Sequence, residues 1–314
     1  MKEIGGFFEL EVNHSKEYHS DALSLNTGRN CLEYILKARK CSKIYIPYFV
    51  CDVVLEPITK LNIEYEFYRI NSSFEPLFEK TLNSNEAFLY VNYFGLKQNV
   101  VESLSRKYGD KLVIDNTQAF FSKPINNIDT FYSPRKFVGV ADGGYLYTNK
   151  RLDIKFDKDV SFNRMSHLIK RLDCGADISY SDFKDNTQNL VCNEILEMSN
   201  ITHSILSGID YEKIKKIRED NFLFLHNELS KYNELDISVE NINGPMVYPF
   251  MLRKDKLREI LIENKIFVAM YWPNVTDWCD INDLEYSMTK YILPLPIDQR
   301  YSIKEMKKIL SILL

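Results

Sequence analysis

The chain has 314 residues, 45% of them apolar, and a formal net charge of −4, which is enough to bury a large core and form two lobes. A balance this close to neutrality, with basic residues spread along the chain, gives no electrostatic footprint for nucleic acid. No apolar run reaches membrane-spanning length and Met1-Lys-Glu-Ile-Gly-Gly-Phe7 carries no apolar leader core, so the expected place is the cytosol, away from membranes.

Taken in chain order, the hydrophobic pattern predicts a helix over 28–40, a strand over 43–47, a helix over 51–61 and a strand over 63–68. A strand over 86–92, a helix over 98–108 and strands over 111–114 and 145–148 follow. Such alternation makes a mainly parallel sheet with helices on both faces, an α/β architecture. From Asn193 the pattern changes. A helical stretch over 194–207 precedes a longer one over 210–231, in which Ile214, Ile217, Phe222, Leu225 and Leu229 fall near one face. Strand-like segments at 246–252 and 266–271 flank a helix at 255–264, and a helix over 302–313 closes the chain. The expected division is a large domain over 1–192 and a small βαβ-like C-terminal domain over 193–314 that includes the long connecting helix. Residues 153–159 and 174–188 read as solvated loops, the second as a candidate substrate lid. The six cysteines contain no Cys-x-x-Cys pair, so neither a zinc site nor a disulfide framework is expected. His14 and His19 are five apart, which is poor spacing for a metal on a helix, and read as surface residues.

Three segments carry chemistry. In Leu25-Asn-Thr-Gly-Arg-Asn-Cys-Leu32 a helix start offers free N–H groups to an anion, with a hydroxyl from Thr27, close backbone approach at Gly28 and a charge from Arg29. The plainer alternative is an ordinary N-cap at Asn26 or Thr27. In Lys111-Leu-Val-Ile-Asp-Asn-Thr-Gln-Ala-Phe120 a strand of buried type stops at Asp115, beyond the carboxyl end where open α/β sheets bind ligands. The alternative there is a cap for the next helix, and Gln118 lies three residues on. In Thr130-Phe-Tyr-Ser-Pro-Arg-Lys-Phe-Val-Gly-Val140, followed by Ala-Asp-Gly-Gly-Tyr145, Lys136 stands among Phe137, Val138 and Val140 and beside Arg135. Lost hydration and a neighbouring positive charge disfavour its ammonium form, and a neutral amine forms Schiff bases with carbonyl compounds. The alternative is a lysine whose stem lies on apolar surface with its head in water. A lysine, a carboxylate and a phosphate cradle are together what pyridoxal phosphate (PLP) requires.

On these segments the chain resembles the DegT/DnrJ/StrS group of fold-type-I PLP-dependent sugar aminotransferases over nearly its whole length. Asn26-Thr-Gly-Arg-Asn-Cys-Leu32 is similar to the family's phosphate turn, Tyr90-Val-Asn-Tyr-Phe-Gly95 to its strand ending in Tyr-Gly, and Val113-Ile-Asp-Asn-Thr-Gln-Ala119 to its Ile-Glu-Asp-Ala-Ala-Gln-Ala. Phe131-Tyr-Ser-Pro-Arg-Lys136 with Asp142-Gly-Gly144 is similar to its lysine segment. The C-terminal Tyr271-Trp-Pro273 and Leu295-Pro-Ile-Asp-Gln-Arg-Tyr301 look like family segments of lower specificity. The resemblance implies a PLP-dependent transferase fold of type I, with a mainly parallel sheet flanked by helices and a small C-terminal α/β domain. It implies Lys136 as the Schiff-base lysine and proton carrier, Asp115 as the partner of the ring nitrogen, Gln118 as a ring contact, and Ser133 with Thr27, Gly28 and Arg29 at the phosphate. It further implies glutamate as amino donor, a nucleotide-linked keto-sugar as acceptor, a role in amino-sugar or surface-polysaccharide biosynthesis, and a homodimer whose sites draw on both subunits.

The chain departs from the family at three places. Arg29 stands where many members have Thr. Cys51 stands where a ring-stacking aromatic is frequent, with Phe49 or Tyr93 as substitutes. No Asn-Tyr-Arg-Met-type segment lies between Asp173 and Leu196. Two rival readings stay open: a PLP enzyme of another type, such as a lyase or dehydratase, and a silent member acting as a regulator or partner subunit. Dehydrating relatives carry histidine in place of the lysine, so Lys136 weighs against that route.

Overall fold

The computed structural model describes residues 4–314. Its first lobe is one eight-stranded sheet with the order β1-β8-β7-β6-β5-β2-β3-β4. In chain order it is built from β1 (Leu23–Leu25), α1 (Gly28–Arg39), β2 (Lys43–Pro47), α2 (Leu55–Lys60), β3 (Glu64–Ile70), β4 (Pro76–Leu77), β5 (Glu86–Val91), α3 (Gln98–Tyr108), β6 (Leu112–Asp115), β7 (Asp129–Tyr132) and β8 (Gly144–Tyr147). Strands β3, β2, β5, β6 and β7 run parallel, while β1, β8 and β4 pair antiparallel at the edges. The central strands are buried on both faces, as continuous apolar runs such as Leu112-Val-Ile in β6 require. α1 ends in a left-handed cap at Lys40, whose N–H closes on the Leu36 and Lys37 carbonyls.

Beyond the sheet come α4 (Ser166–Cys174), α5 (Ala176–Gln188), α6 (Asn200–Ser207), α7 (Tyr211–Leu229), β9 (Tyr248–Met251), α8 (Leu257–Glu263), α9 (Val275–Trp278), α10 (Leu284–Tyr291), β10 (Ile292–Leu295) and α11 (Ile303–Leu313). A second apolar core forms here, from Phe222, Leu225 and Leu229 of α7 against Tyr248, Phe250, Leu261, Leu293, Leu295, Met306 and Ile309. Capping is local and strong: Asp210 accepts from the Lys213 N–H at the head of α7, and Ser302 with Glu305 forms a capping box on α11. No helix among the described residues is long and apolar enough to cross a membrane.

Two expectations are corrected. Residues 174–188 are not a loop: they belong to a hairpin of α4 and α5 broken at Gly175, whose φ of 86° suits glycine. The C-terminal sheet is not βαβ, because β9 and β10 pair antiparallel and 266–271 forms no strand.

Candidate active site

The lysine segment is set by β7 and the turn after it. Pro134 opens a 3-10 turn, Pro134–Lys136, onto whose first carbonyl the Phe137 and Val138 N–H groups both close at 2.9 Å. Successive side chains of such a turn point a third of a circle apart. Phe137 and Val138 accordingly enter the core, while Lys136 stays exposed, its Nζ donating to the Thr117 hydroxyl at 3.0 Å. The desolvation expected from its apolar neighbours is therefore corrected: they turn away from the amine.

Asp115 ends β6 and is buried, and its Oδ1 accepts the Thr117 N–H at 2.8 Å in an Asx-type turn. Among the described residues that is the hydrogen bond made to the carboxylate, which leaves Oδ2 unspent. Burial pushes the Asp115 pKa up, and the Lys136 charge and the Thr117 contacts pull it partly back. Thr117 thus joins acid and lysine, through its amide to one and its hydroxyl to the other. Its one mark in the sequence is a hydroxyl two residues beyond the acid. Gln118 is buried, its Oε1 accepting the Phe94 N–H at 2.8 Å and its Nε2 having no acceptor among the described residues.

At the head of α1, Thr27 is the N-cap. Its hydroxyl accepts from the Asn30 N–H at 3.1 Å and donates to Asn30 Oδ1 at 2.5 Å, so the hydroxyl expected to face an anion is spent on the helix. Arg29 is likewise engaged, pairing with Glu56 at 2.5 Å. What the helix start still offers is backbone N–H groups, with no acid in the first turn to compete. Glycines bring this start to the acid. A Cβ on Gly28 would stand 3.3 Å from Thr117 Cγ2, and one on Gly144 would stand 2.6 Å from the Thr27 carbonyl. Asn26 accepts the Gly143 N–H at 2.6 Å, and buried Asp142 accepts from the Ser199 N–H and hydroxyl at 2.9 and 2.7 Å, fixing α6 behind the turn.

Ser133 is buried and its hydroxyl caps nothing. Arg135 makes no hydrogen bond or ion pair among the described residues. Burial lowers its pKa to about 10, and Arg29 and Arg164 add to the effect while Asp142 opposes it. Three guanidiniums gather here, and two of them have carboxylates: Glu56 for Arg29 and Asp159 for Arg164. Cys51 lies within electrostatic reach of Lys136, and burial raises its thiol pKa. Phe49 and Tyr93, the substitutes for a stacking aromatic, are corrected: both are fully buried in the core, where the Tyr93 hydroxyl donates to the Phe49 carbonyl at 2.9 Å. Two cavities, of about 170 and 460 Å³, lie on the β1 and β8 side and include none of these residues.

No family model matches the chain, and no curated protein matches it in sequence. Solved structures do. The assigned sugar aminotransferase Spr1654 of Streptococcus pneumoniae, solved in apo, PLP and PMP forms, superposes in its apo form with a TM-score of 0.66 at 14% identity over 93% of this chain and 84% of its own. Helicobacter pylori PseC, an aminotransferase involved in pseudoaminic acid biosynthesis, gives 0.61 at 14% over 93% and 85%. GDP-4-keto-6-deoxymannose-3-dehydratase, ColD, gives 0.65 at 15% over 96% and 89%. The chain therefore has the fold of these proteins, the type-I fold of PLP-dependent transferases that the motifs led us to expect.

Proposed function

We propose that the chain is a PLP-dependent aminotransferase that moves an amino group from glutamate to a nucleotide-linked keto-sugar, as a cytoplasmic homodimer serving amino-sugar or surface-polysaccharide biosynthesis. The observation that carries this reading is the Thr117 junction, which holds the Lys136 amine and the Asp115 carboxylate together beside a glycine-backed helix start. The likeness to Spr1654 and PseC supports it.

The residues present fit the cofactor. Asp115 Oδ2 is the unspent acceptor that a protonated pyridine nitrogen needs, and Gln118 Nε2 is an unspent donor for a ring oxygen. Among the described residues, the Gly28 and Arg29 amides at the head of α1, the Ser133 hydroxyl and the Arg135 guanidinium are unspent donors for phosphate. When bound, PLP supplies an aldehyde for an amine and a cationic ring that draws electrons from the substrate carbon. Lys136 Nζ would be the amine that holds it and the base for the proton of the substrate carbon. Thr117 Oγ1 accepts one hydrogen of that amine, which fixes the direction of its lone pair. Asp115 keeps the ring nitrogen protonated by opposing its charge in a buried setting.

Borohydride reduction of the cofactor-loaded protein, followed by peptide mass analysis, is expected to leave the cofactor on Lys136. Glutamate alone is expected to change the visible spectrum and release one 2-oxoglutarate per site. Cofactor attached elsewhere, or none taken up, overturns the reading. The likeness to ColD favours a second reading, dehydration of a sugar; a spectrum indifferent to glutamate with the cofactor on Lys136 selects it or the silent-partner reading.

A further inference from the structure

Arg218 of α7 is among the largest fully buried side chains, with 1% of its surface exposed. A buried guanidinium normally sits on a carboxylate, because the desolvation cost is several kcal/mol. This one hydrogen-bonds neutral acceptors, with Asp298 acting on it only through space: the Phe137 carbonyl at 3.2 Å, those of Pro245 and Met246 at 3.3 and 3.1 Å, and Gln299 Oε1 at 3.1 Å. Its cation also lies 4.6 Å from the centre of the Phe137 ring. A planar fork with donors on three nitrogens holds carbonyls from three separate chain segments at once.

Those segments lead to the site by two routes. Phe137 follows Lys136 directly, and its carbonyl accepts a second bond from Gln299 Nε2 at 2.7 Å while its N–H is held by the Pro134 carbonyl at 2.9 Å. The backbone on the far side of Lys136 is thereby pinned at both polar groups. On the other route, the Met246 N–H donates to the Phe94 carbonyl at 2.9 Å, and the Phe94 N–H donates to Gln118 Oε1 at 2.8 Å. We propose that Arg218, seconded by Gln299, is a positioning hub that sets where the Lys136 amine and the Gln118 amide stand, and that couples both to α7 and to the segment after β10. The inference rests on the aminotransferase reading and adds to it a pair of residues that touch neither cofactor nor substrate.

The test compares wild type with Arg218→Lys, which keeps the charge and loses the fork, and with Gln299→Met, a half-buried and milder change. Three quantities are measured: melting temperature, equilibrium affinity for PLP in the presence of borohydride-inert 4-deoxypyridoxine phosphate as competitor, and the rate of covalent trapping on Lys136. Trapping is expected to slow about tenfold in Arg218→Lys and about threefold in Gln299→Met, while affinity for the competitor, which lacks the aldehyde but keeps the ring oxygen that Gln118 faces, falls by a smaller factor. A variant that melts lower but traps cofactor at the wild-type rate shows a structural role alone and overturns the hub. If Arg218→Lys does not fold, Gln299→Met decides by the same criterion. A wild type that traps no cofactor on Lys136 overturns the proposed function itself, an outcome distinct from equal trapping in all three proteins.

Discussion

Asp115 shows what burying a single acid costs the fold. Its carboxylate lies under the Thr117 turn with one oxygen unspent, and burial holds its pKa above the ordinary value. Because the folded chain binds that proton more tightly than the unfolded one, the group's contribution to stability is complete below the unfolded pKa and is lost as pH rises through the folded pKa. Asp115→Asn removes that loss and can keep the bond from the Thr117 N–H. We expect the cofactor-free variant to melt above wild type at about pH 7, with the gain shrinking toward about pH 4, as followed by thermal melts across that range. The same change is expected to lower the transamination rate about a hundredfold, close to 3 kcal/mol of lost electrostatic support. A variant equally active and no more stable contradicts both halves. The acid, Lys136 and Gln118 were legible as residues because strand ends and motif spacing are local. Thr117 and Arg218 were not, since each matters through a contact made by the folded chain.

Among the elements, the glycine turn before β8 does the joining. Gly144 brings β8 so close to the head of α1 that a Cβ would meet the Thr27 carbonyl at 2.6 Å and Cys31 Sγ at 2.8 Å. Gly144→Ala is expected to cost about 2 kcal/mol in urea unfolding and to weaken PLP binding in a fluorescence titration, because the strain falls on the helix start proposed to hold the phosphate. Wild-type stability and affinity in that variant dismiss the close approach as functionally idle. The strand β7 escaped the periodicity analysis for a related reason. It opens on Asp129, a residue disfavoured in strands, and that charge is tolerated because Arg39 of α1 meets it at 2.5 Å. A partner 90 residues away leaves no mark on a short window. Helix α5 reads as a loop in the sequence because polar residues dominate a helix with little buried surface of its own.

At the scale of the molecule, the exposed apolar residues of the α4–α5 hairpin are what the proposed homodimer would cover. Leu172 is 88% and Ile169 56% exposed, and α4 packs beside the lysine segment, with Leu168 Cδ2 3.4 Å from where a Gly139 Cβ would stand. Light scattering is expected to find a dimer, and Ile169→Glu with Leu172→Glu to give a folded monomer that has lost transaminase activity; an active monomer of either protein removes the dimer from the proposal. The amino-acid order by itself determined the α/β class, most central strands, the long α7 and the lysine, acid and glycine-turn segments, since each depends on periodicity or on neighbours within a few residues. The tertiary structure alone decided which of their polar atoms remain available. Thr27 and Arg29 are consumed by Asn30 and Glu56, while Asp115 Oδ2, Gln118 Nε2 and Arg135 have no further hydrogen-bond partner among the described residues. The physical reason is that hydrogen-bond capacity is finite and is shared out among groups that only folding brings within reach.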